Sequence, residues 1–422
     1  MLKVSKLALT ALLFLPALSA CNQSDKNVEI SLFHRWPNEP KKSYFDKIIE
    51  QFEQENPGIT VKVDKVLNDA YKDKVRVLVG SSNPPDVFFS WSGEFANNLV
   101  RSGRVMDLTD MLNEDGTWSG QIVQNQIEPF KLDGKVYGIP WAMHSKSMFY
   151  NKDLFEQHGL AVPTTFDELL EVCRALQEKG ITPIAFGSQA PWPISHYLGT
   201  LNQRIVDPEV IARDYNRATG EFTDPGYVEA LARFKELSAY MNPDPNALDH
   251  ETIRNNFIAG KTAMAYLQSA EIKYLVEGAQ FEFDAFNFPA IEGGKGDPSQ
   301  LTGAPEGFMI SKTTKHPQEA MRLLKFLISK STGEQLTRDT GEMSTIRGAV
   351  NADTAPPAIV EAAQQVEQAQ GMTMWLDNAL DSTIVDAYLR GTQLLIGGEK
   401  TPEQVMRDVQ QAAQKVRTEA AQ

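Results

Sequence analysis

GIPWAMHSKSMFYNKDLF, residues 138–155, packs large side chains together and sets Trp141, His144 and Lys146 among them. A strand that only fills a core has little use for those three groups. Upstream, residues 136–142 read as a strand, and downstream NKDLFEQHGL (151–160) reads as a helix, with Gly159 placed to be the left-handed residue after its C-cap. The stretch therefore opens a new β–α unit, and its neighbours on both sides repeat that rhythm.

On the N-terminal side, apolar residues alternate through Val28, Ile30 and Leu32, and Tyr44, Phe45, Ile48, Ile49 and Phe52 then share a helical face that Pro57 and Gly58 end. Ile59, Val61 and Val63 alternate again, and PPDVFF (84–89) is a short apolar run bounded by prolines, as expected of a buried parallel strand. The order β, α, β, α, β with right-handed crossovers predicts an open, doubly wound α/β sheet, whose ligands sit beyond the carboxyl ends of its strands.

On the C-terminal side, TTFDELLEVCRALQEKG (164–180) opens with a capping box, Thr165 and Glu168, and carries Phe166, Leu169, Leu170, Cys173 and Leu176 as its apolar stripe. Cys173 is thereby a packed thiol. A last helix begins at Thr401 and Pro402, with Val405, Val409, Ala412 and Val416 on one face. AIEGGKGDPSQ (290–300) is turn chemistry that marks a passage between lobes.

The first twenty residues stand apart. Lys3 and Lys6 precede LALTALLFLPALSA, the length of a signal-peptide core and not of a membrane span. Residues 1–20 are read as a signal and 21–27 as a lipidated cysteine with a polar tether, NQSDKN, because Leu18–Ser19–Ala20–Cys21 resembles the lipobox of bacterial lipoproteins; an ordinary cleaved signal is the plainer alternative. With Cys21 acylated, Cys173 is alone and no disulfide staples the fold. Removing Lys3 and Lys6 takes the formal net charge from −14 to −16, which argues against nucleic acid as a partner. What remains is long enough for two ordinary domains.

Several motifs fail as chemistry. HETIR (250–254) has Arg254 where a zinc protease needs its second histidine. GTWSG (116–120) carries its serine one residue late for a nucleophile elbow, and NPDPNALDHE (242–251) lacks the glycine and glutamate of a calcium loop. GGKG (293–296) opens no helix. No catalytic residues, metal site or cofactor are expected, although a surface-anchored polysaccharide hydrolase or lyase stays as a remote alternative that paired carboxylates would serve.

Six segments, FEQENPGITVKV, PPDVFF, GKVYGIPWA, FYNKDLFEQHGLAVPTTFDELLEVCRAL, NFIAGKTAMAY and SKTTKHPQEAMRLLKFLIS, together resemble the extracellular solute-binding proteins of ABC transporters, in the carbohydrate-binding branch that includes maltose-binding protein. The resemblance runs from about residue 28 to 335 and is looser beyond. It implies two α/β lobes joined by hinge strands with ligand gripped between them, lobe one at 28–137 plus 288–341 and lobe two at 138–287 plus 342–422. It also implies an exported, monomeric binding protein, held to the membrane through Cys21, that captures a sugar, closes by population shift and hands it to a permease.

A sugar offers a C–H face to an indole and a ring of hydroxyls to forked polar groups. On that basis the strand is expected to end near residue 140, WAMHSK to line the second-lobe wall, and FYNKDLF to return to packing. At the place matching His144, the maltose-binding member has a sugar-contacting glutamate. The other expected ligand residues are His34, Arg35 and Trp36; Ser90, Trp91 and Glu94; Trp141 itself; and Trp192 with His196. Gln268 and Ser269 stand where many relatives have a glycine and a stacking tryptophan, a platform that Trp375 would replace, with Glu306, Arg347 and Asp377 from looser alignment. A second ligand class, an acidic sugar such as a uronate, would use His34, Arg35, His144, Lys146, His196 and Arg347 as a cationic cleft.

Overall fold

The computed structural model describes residues 27–369 and 371–421; the signal segment and Cys21 lie outside the described residues. Strands β1 (Val28–His34), β2 (Ile59–Lys65) and β3 (Val87–Trp91) alternate with helices α1 (Lys41–Glu55) and α2 (Asn68–Gly80), and α3 (Glu94–Arg101) follows β3. β1 pairs in parallel with both β2 and β3, in the register Val28 to Ile59 and Leu32 to Val87, so all three strands deliver their carboxyl ends to one edge. α1 buries the expected stripe from Tyr44 to Phe52.

β4 (Ile139–Asn151) is the long element. β5 (Thr182–Ala185), β6 (Thr262–Gln268) and β7 (Leu301–Ile310) complete one continuous sheet in the order β2-β1-β3-β7-β4-β6-β5. β4 pairs antiparallel with β7 along Ile139–Lys146 and with β6 along Lys146–Tyr150. At roughly 3.3 Å per residue it runs unbroken from one lobe into the other, and β7 runs back beside it.

The expected break near residue 140 is therefore corrected. Ile139, Trp141 and Ala142 pack in the first core with the residues of β1–β3 and α1, whereas Met148 and Tyr150 pack in the second. WAMHSK is the hinge crossing and not a wall. The return passage moves as well: Phe288 and Ile291 belong to the second core, and Phe308–Ile310 to the first, so the chain changes lobes within β7. The loop at 290–300 stays on the second lobe because the buried Arg204 guanidinium donates to the carbonyls of Phe288 (3.2 Å) and Gln300 (3.1 Å). That satisfies backbone groups a free linker would leave to water.

In the second lobe, α4 (Phe166–Glu178) keeps its capping box and buries Phe166, Leu169, Leu170, Cys173 and Leu176. Gly159 is left-handed, φ +65°. α5 (Trp192–Ile205) is buried along nearly its whole length. The chain then adds α6 (Leu376–Ala379), α7 (Ser382–Ile396) and α8 (Pro402–Ala420) to the same lobe. α8 buries Val405, Val409 and Val416 with Ala413, while Ala412 is half-buried, a shift of one position around the stripe. No helix of the described residues is long and apolar enough to cross a membrane.

Candidate ligand-binding cleft

A cavity of about 280 Å³ opens between the lobes. From the first lobe it receives Arg35, just beyond β1, and Trp91, the last residue of β3. α2 adds Asn68, Lys72 and Arg76 at i, i+4 and i+8, one face of the helix, while Tyr71, Val75 and Val79 turn into the core. From the second lobe come Trp192 and His196 at the start of α5, Gln268 at the end of β6, and Trp375, Asp377 and Asn378 around α6.

Arg35 is the pivot of the first wall. It donates to both carboxylate oxygens of Glu306 at 2.7 and 2.6 Å and to Asn68 Oδ1 at 2.8 Å, and its guanidinium lies 4.9 Å from the Trp36 and Phe89 ring centres and 5.2 Å from that of Trp91. Burial would raise the Glu306 pKa, but Arg35 and His144 more than offset it and hold the carboxyl far below the usual carboxylate range. Glu306 is thus a permanent acceptor beside an aromatic face.

Two contacts close the lobes on each other at the cleft. Lys72 forms an ion pair with Asp377 across the cleft, and Ser195 Oγ donates to the other Asp377 oxygen at 2.8 Å. At the lip, Gly93 holds φ +70°, and a Cβ there would fall 2.5 Å from the Asn378 carbonyl. Only glycine lets α3 and α6 approach this closely. Asn378 is buried with neither side-chain polar atom partnered, although it lines the cavity.

Eight of the expected ligand residues meet here: Arg35, Trp91, Trp192, His196, Gln268, Glu306, Trp375 and Asp377. The other eight do not. His34 is fully buried, stacked on Phe45 at 4.2 Å, and burial, helped by Lys65, lowers its pKa to about 3, so it is neutral. Trp36 and Trp141 pack against each other and Phe45 in the first core. Ser90 is spent on the Trp91 carbonyl (2.7 Å), and Glu94 on Arg101. His144 lies within the hinge between Glu306 (3.4 Å) and Glu342 (3.5 Å). Ser269 accepts from the Ser145 amide and lines a separate cavity behind the hinge, and Arg347 is exposed away from the cleft.

On β1 and β3 strand parity separates neighbours: His34 and Ser90 turn into the packed faces, whereas Arg35 and Trp91, the next residues along, reach the cleft, Trp91 from a position still paired with Glu306. Sequence reasoning also missed the α2 face. Its signal was present, polar residues at 68, 72 and 76 beside apolar ones at 71, 75 and 79, but a polar helix face reads equally well as solvated surface.

The family model for bacterial extracellular solute-binding proteins matches residues 36–334, and the chain belongs to that family. It is 24% identical over 375 residues to the multiple sugar-binding protein of Streptococcus mutans, covering 78% of this chain and 80% of that one. Among solved structures, a chitin oligosaccharide binding protein superposes with a TM-score of 0.84 at 25% identity over 93% of this chain and 100% of that one. One solved in work on xylan utilisation by Caldanaerobius polysaccharolyticus gives 0.84 at 25% identity over 91% and 99%.

Proposed function

We propose that this chain is the substrate-binding protein of an ABC transporter, that it captures a neutral sugar or oligosaccharide between Arg35, Trp91 and Glu306 on one wall and Trp192, His196, Trp375 and Asp377 on the other, and that it delivers the sugar to membrane permease subunits. The observation that carries the reading is the cleft composition: three tryptophans share one cavity with the ionised acceptor Glu306 and the unpartnered amide of Asn378. Indoles cover C–H faces, and the polar groups take hydroxyls. The protein is a binding module without chemistry of its own, exported as a monomer and tethered through lipid on Cys21.

Neutral ligand is favoured over a uronate because the cations of the cleft are already engaged. Arg35 is neutralised by Glu306, Lys72 by Asp377 and Arg76 by Asp73 at 3.6 Å; His34 is an uncharged core residue, Lys146 is buried against His196 and does not line the cavity, and Arg347 lies outside. The test is a thermal melt of the protein with neutral and acidic mono- and oligosaccharides, where a ligand at a hundred times its Kd adds about 2.7 kcal/mol. Stabilisation by a neutral sugar, lost in Trp91→Ala or Trp375→Ala, supports the reading. Stabilisation by uronates alone, weakened by salt, would replace it with the acidic-sugar alternative, and a flat panel would remove carbohydrate altogether. Release of the protein from membranes by Cys21→Ala tests the tether.

A further inference from the structure

Lys146 is buried against His196, and solute capture as described leaves it without a role. Lys146 stands on β4, 1% exposed, with its Nζ 2.9 Å from His196 Nδ1 and no ion pair among the described residues. Its other neighbours are aromatic: the Trp192 and Tyr266 ring centres lie 5.6 and 5.3 Å from Nζ. One face of the imidazole is stacked on Trp375 at 4.1 Å and 24°, and Trp192 meets the ring tilted, at 5.1 Å and 56°. A flip about the Cβ–Cγ bond would keep the stack but set a ring carbon against the ammonium, so Nδ1 stays on Lys146 and Nε2 is the polar atom left for the cavity that His196 lines.

An ammonium has three donors and no acceptor, so it forces Nδ1 to accept; a neutral imidazole has one N–H, which must then sit on Nε2. We propose that Lys146 is a positioning residue that locks His196 in the Nε2–H tautomer and so makes it a fixed hydrogen-bond donor to the bound solute. This deepens the capture reading and rests on it: the solute must offer an acceptor oxygen to His196 and a hydroxyl or amine hydrogen to Glu306, and an analogue lacking either leaves a buried group unpaired.

The charge states agree with the geometry. Burial first, then Lys146, His250, Lys72 and His144 around it, push the His196 pKa far below the usual imidazole range, so the ring stays neutral. Burial lowers Lys146 to about 8, opposed by Glu271 and Asp377, so it remains an ammonium at neutral pH. Glu271 is itself occupied by His250 (2.8 Å) and Arg254 (3.8 Å) and does not compete for Lys146.

The experiment is long-range ¹⁵N–¹H NMR of the ligand-free, ¹⁵N-labelled protein, whose six histidines keep the spectrum sparse. His196→Gln assigns the signal. The wild type is expected to show one His196 tautomer, protonated at Nε2, throughout pH 6–7.5, and Lys146→Met, near in length and apolar, is expected to lose that purity. A wild-type imidazolium or Nδ1–H form, or an unchanged tautomer in Lys146→Met, would overturn the proposal. A binding arm uses whichever neutral sugar stabilises the wild type: Lys146→Met and His196→Ala should each weaken it about tenfold, and the double variant should weaken it no further. Additive losses would sink the lock. If no sugar binds the wild type, capture itself fails, while the tautomer spectrum still decides the role of Lys146.

Discussion

Two buried histidines, His144 in the hinge and His196 in the second wall, carry the same ring with pKa values moved in opposite directions. His144 sits in a chain of ionisable groups, Lys41–Glu342–His144–Glu306–Arg35, that crosses from the start of α1 to the end of β1 through both hinge strands. Burial alone would lower its pKa, but Glu342 and Glu306 together outweigh that and raise it. His196 meets an ammonium instead of carboxylates and is driven neutral. The difference teaches that burial sets the size of the electrostatic stakes and the nearest partner sets their sign. The hinge chain links carboxylates to cations across both strands that join the lobes, whereas Lys146 meets only an imidazole and aromatic rings.

That contrast is broken most severely at Glu306. Glu306→Ala removes the shared partner of Arg35 and His144 and should cost about 3–5 kcal/mol in urea denaturation, as for loss of one member of a buried charge pair. A loss below about 1 kcal/mol would mean the chain is not coupled. Lys146→Met should act the other way: replacing a buried cation that has no carboxylate in contact is expected to stabilise the ligand-free protein by about 1–3 kcal/mol while binding weakens. A destabilised Lys146→Met would show the two clusters to be alike.

Titration sharpens the same comparison with signs worked from each group. His144 has a raised folded pKa, so its stabilisation is complete below the ordinary value of 6.5 and is lost as pH rises through the folded value. Lys146 is depressed from 10.5 to about 8, so its penalty is complete below 8 and is relieved as pH climbs toward 10.5. Stability measured against pH should carry both components, and Lys146→Met should lack the alkaline recovery alone. The smallest effect is expected at the cross-cleft pair: Lys72 is partly exposed, so Lys72→Met should change ligand-free stability by less than about 1 kcal/mol. A larger change would place the latch beside the hinge chain in importance.

Much of this was legible in residue order. The β–α rhythm, the Thr165–Glu168 capping box, the helix start at Thr401 and Pro402 and the left-handed Gly159 are local, because each depends on hydrogen bonds or dihedral angles within a few residues. Half of the expected ligand residues line the cavity because strand ends are places that order along the chain can locate. The other half mislead because tryptophan beside polar residues is the same signal whether the indole meets solute or another indole. Trp36 and Trp141 each follow that pattern, and their ring centres lie 4.8 Å apart in the first core.

The sequence by itself determined the elements, their polarity and the side of each helix that must be buried, since periodicity and caps need no distant partner. Only the tertiary structure decided which lobe owns each part of β4. Trp141 and Met148 lie on one strand, yet they enter different cores because β4 crosses from β7, at one end, to β6, at the other. Alternation tells which way a side chain points, but not what waits there. That depends on strands paired more than a hundred residues apart.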